Sequence, residues 1–130
     1  MLTTNGLHHL ALRVTNLQRS KEFYTGIFGM QPLLEVEGLA LLSGNGLMLG
    51  LRSTTEPGSG DRFDSSRVGL DHLAVAATDI AALEQMQRQL DGAGVPNNGV
   101  EHDNLTGTTY VSFYDPDGIA WELYVLTTAG

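Results

Sequence analysis

At 130 residues the chain has the length of one ordinary domain with room for a substantial core. With 42% hydrophobic and 17% charged residues it has the composition of a water-soluble globular protein. A net charge of -8 excludes nucleic acid and anionic membrane surfaces as natural partners, because both demand a basic patch. The absence of cysteine removes disulfides and thiol chemistry. No leader pattern opens the chain and no apolar run reaches membrane-spanning length, so a cytoplasmic location is expected.

In chain order, Leu7 to Val14 reads as a strand, and Thr15-Asn16 supplies a helix N-cap. Leu17, Ser20, Phe23, Tyr24, Ile27 and Phe28 recur at helical spacing, with Gly29 as the stop. Three short strands follow, around Leu33–Val36, Leu39–Leu42 and Leu47–Leu51. They are separated by Gly38 and by Ser43-Gly44-Asn45-Gly46, residues that suit tight turns. Ser53–Arg67 is polar and rich in Gly, Pro and Ser, a linker. Leu70–Ala77 is again a strand, and Asp79 caps a helix with a stripe of Ile80, Leu83, Met86, Gln87 and Leu90. A weak strand near Val100–Glu101, a stronger one at Thr108–Tyr114, the turn Asp115-Pro116-Asp117-Gly118 and a last strand, Ile119–Leu126, complete the chain.

The two halves repeat one another. Laying Gly6–Leu17 over Gly69–Ile80 makes Gly6, Leu7, His9, Leu10, Ala11 and Thr15 identical to their counterparts, and carries His9 onto His72. A unit of this length occurring twice implies one pseudo-symmetric α+β domain over residues 1–130. Module one then covers about 5–52, the linker about 53–67 and module two about 68–127.

Strand alternation decides which side chains share a face. His9 keeps company with Leu7, Ala11 and Arg13, His72 with Ala74 and Ala76, and Glu122 with Ala120 and Tyr124. The opposite faces are apolar and suited to packing under helices. Each of the three strands thus offers one ligand-type side chain beside small neighbours, as a cavity wall would. Two neutral imidazoles and a carboxylate suit Fe, Mn, Ni, Co or Zn as a divalent ion, with positions left for water and substrate. Taken singly, each residue is equally explained as a satisfied half-buried polar group or a rim charge. The joint occurrence on repeat-related strands is what favours a metal site.

His9-Leu10-Ala11-Leu12-Arg13-Val14, Phe23-Tyr24 ahead of Phe28-Gly29, Asp71-His72-Leu73-Ala74-Val75, and Phe113–Gly118 followed by Glu122-Leu123 resemble the vicinal-oxygen-chelate superfamily. That superfamily includes glyoxalases, bleomycin-resistance proteins and extradiol dioxygenases. The resemblance implies two repeated βαβββ modules forming a curved, mixed, barrel-like sheet around a cavity, with the helices outside. It also implies homodimerisation and ligand positions at His9, His72 and Glu122. A further ligand position used by four-ligand members falls on Gly50, which cannot ligate. The remaining His, His, Glu set is therefore similar to the dioxygenase and fosfomycin-transferase branches. The extradiol tyrosine position falls on Ser112, and the upstream histidine of those enzymes approximates to His102.

Around this core, Tyr110, Ser112 and Tyr114 share a face beside Glu122 and are candidate proton donors. Arg13 and Arg52 are candidates to bind a substrate anion, or equally to pair with acids at the rim. Met48, Gly50, Tyr124 and His102 complete the expected substrate contacts. The expected activity is that of a metal-dependent enzyme acting on neighbouring oxygens of a small molecule, dioxygenase-like first and lyase or isomerase second. The competing expectation is a non-enzymatic protein that sequesters a small molecule in the same cavity.

Overall fold

The computed structural model describes residues 1–125, so Leu126 at the end of the expected last strand lies outside the described residues. The chain divides into two compact units, Met1–Asp61 and Arg62–Gly130.

The first unit runs β1 (Leu10–Val14), α1 (Leu17–Ile27), β2 (Gln31–Val36), β3 (Leu39–Gly44) and β4 (Leu47–Ser53). Its sheet has the order β1-β4-β3-β2, with β1 parallel to β4 and the other pairs antiparallel. The two ends of α1 are fixed by the residues the sequence supplies there. Asn16 Oδ1 accepts from the Arg19 amide at 3.0 Å. At the other end Gly29 takes a left-handed φ of 66°, which lets the Met30 amide reach the Tyr24 carbonyl at 3.3 Å. Ser20, Tyr24 and Ile27 form the buried stripe of the helix, which lies against β3 and β4. On the sheet, Leu12, Val14, Ala40, Leu42, Leu49 and Leu51 are buried. The alternate residues Ala11, Arg13, Leu39, Leu41 and Arg52 belong to the other, more open face. Asn45 and Gly46, with φ of 52° and 78°, make the two-residue turn between β3 and β4.

The second unit repeats the plan: β5 (Leu73–Ala76), α2 (Ile80–Gly92), β6 (Asn97–Asp103), β7 (Thr108–Tyr114) and β8 (Ala120–Val125), in the sheet order β5-β8-β7-β6. Asp79 Oδ1 caps α2 through the Ala82 amide at 2.9 Å. Leu83, Met86 and Leu90 are the buried stripe of α2, and Val111, Phe113, Trp121 and Val125 are the buried residues of the strands. The turn into β8 is held by Asp115, whose Oδ1 accepts from the amides of Asp117 and Ile119, both at 2.8 Å. Gly118 there has a φ of 80°, and Arg62 Nη2 lies 3.2 Å from where a Cβ would stand. The Phe63 amide donates to the Asp117 carbonyl at 3.1 Å, so the start of this unit is tied to the turn that aims β8.

Each unit is therefore a βαβββ module, and the chain is α+β with two four-stranded mixed sheets. Several boundaries differ from expectation, and β5 spans only Leu73–Ala76 where Leu70–Ala77 was expected, leaving His72 just ahead of it. Strand β1 begins at Leu10, leaving His9 one residue ahead of the paired segment. Strand β4 continues through Ser53 because Val14 pairs with that residue. Strand β6 is seven residues long despite its polar sequence, because β7 pairs with it around a bulge at Gly99. The carboxamide oxygen of Gln87 on α2 accepts from the Val100 amide at 3.1 Å and steadies that bulge.

Candidate metal and substrate site

The second unit carries the more developed constellation. Ala74 is paired with Glu122 across β5 and β8, and Ser112 with Glu122 across β7 and β8. Tyr110 is paired with Tyr124, and Glu101 of β6 with Tyr110. These residues share one face, opposite the buried Val111, Phe113 and Trp121. The alanines of β5 leave the space above Glu122 uncrowded, as a ligand-bearing face requires.

His72 stands immediately before β5, with its two ring nitrogens differently engaged. Nδ1 lies 2.7 Å from Asp71 Oδ1, and Nε2 lies 3.4 Å from Glu122 Oε2. An ionised carboxylate only accepts, so the short contact puts a proton on Nδ1, with Nε2 turned toward Glu122. A carboxylate holding the far nitrogen of an imidazole is the arrangement found behind metal-bound histidines. The Nε2 to Oε2 separation is long for a hydrogen bond. An imidazole nitrogen and a carboxylate oxygen are donor types that would together suit a divalent ion. The donor chemistry of this pair therefore fits a divalent cation. Among the described residues no group of three or more His, Cys, Asp and Glu is gathered as a complete metal cluster, so His72 and Glu122 form a two-residue partial set.

Tyr110 and Tyr124 stack with ring centroids 4.9 Å apart and planes 9° from parallel. Burial, followed by the Glu101 carboxylate that accepts from its hydroxyl, pushes the Tyr110 phenol above the ordinary tyrosine value. Tyr110 is thus a protonated hydroxyl at neutral pH on the face that bears Glu122. Ser112 stands between them in the strand alternation, and Tyr114 is exposed at the end of β7. His102 is paired with Thr109, whose Oγ1 is 3.2 Å from its Nδ1, and alternation places both on the face away from Glu122.

In the first unit His9 is exposed, and its Nδ1 is 2.8 Å from Nδ1 of His8, the rings meeting edge to face. His8 and Asp71 occupy the same place in the repeat, so in both copies the residue before the histidine holds its Nδ1. The sequence marks His8 only as a residue pointing away from its neighbour, and no spacing rule reveals this contact. Beyond His9, Ala11 is paired with Gly50 and Arg13 with Arg52. A Cβ added to Gly50 would meet Ala11 Cβ at 3.6 Å, an ordinary contact, so packing does not demand a glycine there. Met48 pairs with Ser43 at the other end of β4.

These features coincide with a family relationship. The sequence profile of the Glyoxalase/Bleomycin resistance protein/Dioxygenase superfamily matches residues 6–123, and the chain belongs to that superfamily. It is similar to the uncharacterized protein YaeR of Escherichia coli, 30% identical over 132 residues covering 95% of this chain and 98% of the relative. A trivalent organoarsenical cleaving enzyme of a Bacillus species is 27% identical over 130 residues, covering 92% of this chain and 73% of the enzyme. Among solved structures, a glyoxylase/bleomycin resistance protein/dioxygenase domain from Frankia superposes with a TM-score of 0.83 at 26% identity, covering 95% of this chain and 98% of that one.

Proposed function

We propose that the chain is a metal-dependent enzyme acting on a small molecule with neighbouring oxygen atoms. Its ligands in the second unit are His72 and Glu122, and His9 is the repeat counterpart of His72 in the first unit and the third residue of ligand type. The observation that carries this reading is the His72–Glu122 pair with Asp71 on the far ring nitrogen. A bound divalent ion supplies Lewis acidity toward oxygen ligands. The ions considered are Fe, Mn, Ni, Co and Zn, since imidazole and carboxylate ligands suit all of them. The residues 1–130 are read as one functional domain, with modules at about 5–52 and 68–127, acting as a cytoplasmic homodimer.

The chain's own residues have distinct tasks in this reading. Asp71 fixes the tautomer of His72, and Ser112 stands beside Glu122 as its cross-strand neighbour. Tyr110, stacked on Tyr124, is the candidate proton donor on the face that bears Glu122. A tyrosine hydroxyl on that face sets a lyase or isomerase reaction beside the dioxygenase-like one. The arsenical-cleaving relative supports enzymatic bond breaking in general. Arsenic(III) favours thiolates, however, and these 130 residues contain no cysteine, so oxygen-bearing substrates are the better match here.

Calorimetry on chelator-stripped protein tests the reading, using Mn(II), Fe(II) and Ni(II) with His72→Ala and Glu122→Ala alongside. One saturable site that both substitutions abolish is the expected result. Metal binding indifferent to Glu122 overturns it and leaves the sequestering protein as the better account. Small-molecule stabilisation that ignores chelator and proceeds without turnover would mark that alternative.

A further inference from the structure

Strand β6 is an edge of the second sheet, and its register decides which side chains it adds to the face that bears Glu122. The bulge at Gly99 fixes that register. Gly99 has a left-handed φ of 71°, and the Gln87 side chain lies 3.1 Å from where a Cβ would stand. The same carboxamide accepts from the Val100 amide. Glu101 is then paired with Tyr110, and Tyr110 with Tyr124. A slip of one residue would turn Glu101 to the other face and set His102 against Tyr110.

Glu101 is half-buried, and the described ion pairs do not include it. Its carboxylate accepts from the Tyr110 hydroxyl, while the Tyr110 ring stacks on Tyr124. This row lies one alternation step, about 7 Å along the strands, from the row of Ser112 and Glu122. A tyrosine is protonated at neutral pH, and here burial and the Glu101 carboxylate oppose its phenolate further. Tyr110 alone is therefore a weak acid toward substrate and, without a phenolate, no base. A carboxylate on its hydroxyl proton changes that, because the phenol can then gain one proton as it gives up another.

We infer that Glu101 positions the Tyr110 phenol and takes up its proton, so that proton transfer on the Glu122 face runs through this pair. The inference rests on the functional reading above and deepens its lyase or isomerase branch. A substrate C–H bond beside a carbonyl breaks, its proton bonds to the Tyr110 oxygen, and its electron pair moves to the carbonyl oxygen as an enolate. The proton already on Tyr110 passes to Glu101, which becomes a carboxylic acid. The reverse transfers return a proton to carbon. Glu101 acts only through Tyr110 and is a positioning residue.

Isotope-shift NMR of the tyrosine Cζ carbons, on the metal-free full chain in mixed light and heavy water, tests the contact. A slowly exchanging Tyr110 hydroxyl is expected in the parent and in Glu101→Gln, whose carboxamide still accepts, and a fast one in Glu101→Ala. Deuterium uptake into hydroxyacetone by the Mn(II)-loaded protein, read by mass spectrometry, tests the proton transfer. Glu101→Gln, which cannot take up a proton, and Tyr110→Phe should each slow the uptake about a hundredfold or more. Glu101→Asp should keep part of it, and Glu101→Gln should bind Mn(II) as the parent does in calorimetry. A Tyr110 hydroxyl that exchanges fast in the parent, or equally slowly in Glu101→Ala, overturns the proposal. So does uptake that is absent in a parent that binds Mn(II), uptake that is undiminished in Glu101→Gln, or Mn(II) binding that Glu101→Gln abolishes. Normal Mn(II) binding with a fast-exchanging hydroxyl sinks this proposal alone. No Mn(II) binding in a parent whose hydroxyl exchanges slowly sinks the functional reading and leaves the positioning of Tyr110 by Glu101 standing.

Discussion

At the scale of single residues, the candidate site is a matter of which atom carries a proton. Asp71 holds a proton on His72 Nδ1, with Nε2 turned toward Glu122. Replacing Asp71 by Ala removes this constraint. The expected outcome is a mixture of ring tautomers in long-range proton–nitrogen NMR of the metal-free protein, and metal affinity lower by about tenfold or more. A single unchanged tautomer would show that Asp71 does not hold the ring. Tyr110 offers a pH test. Its folded-state value is raised above the ordinary 10.0 by burial first and Glu101 second. Raising an acid's value means that the folded form resists deprotonation. The corresponding stability is intact below pH 10.0 and is lost as pH climbs through the raised value. Phenolate absorbance should show one tyrosine ionising late, absent in Tyr110→Phe and shifted to lower pH in Glu101→Gln.

At the scale of elements, the two helices are delimited by side chains close in sequence, and the strands by partners far away. Asn16 and Asp79 occupy the same place in the repeat and cap α1 and α2 in the same manner. Asn16→Ala and Asp79→Ala should each cost about 1 kcal/mol in urea unfolding, with the folded spectrum unchanged. A loss near zero at either position would mean that water satisfies that helix end equally well. The strands depend on long-range pairing instead. Polar β6 would not form a strand by itself, and it does so because β7 supplies its hydrogen bonds and Gln87 anchors its bulge. Near the start of β8, Trp121 is buried beside Glu122, so the same strand anchors the core with one face and offers a candidate ligand with the other. Trp121→Ala should destabilise by about 3–5 kcal/mol and lower metal affinity through the loss of a firm backing for Glu122.

For the whole molecule, duplication has given two modules of one topology whose open faces have diverged. The second unit carries the carboxylate, the tyrosine stack and a histidine held by Asp71; the first carries paired arginines and a glycine where β8 has Glu122. Superfamily membership and the shared α+β plan fit this division of labour. If the ion binds only the folded chain, it must stabilise that chain by mass action. A concentration one hundred times the dissociation constant should add about 2.7 kcal/mol to unfolding, read as a shift in the denaturation midpoint. Chelator should reverse the shift, and Glu122→Ala should show none. A midpoint that ignores metal in the parent protein would remove the ion from the reading.

The repeat, the two caps, the helical stripes and the turn at Asp115–Gly118 were all legible in the chain as local patterns, because each is set by side chains within a few residues of one another. So was the candidacy of His72 and Glu122, since strand alternation alone assigns each a face. Tertiary structure decided the features that depend on which strands pair, and in what register. It set His9 one residue ahead of β1, carried β4 through Ser53 and made a full strand of β6. It also brought His72 within 3.4 Å of Glu122, across a helix and three strands, and set Arg13 beside Arg52, across a helix and two strands. Hydrogen-bond register between distant segments is a cooperative outcome of the whole sheet, and no local window of residues encodes it.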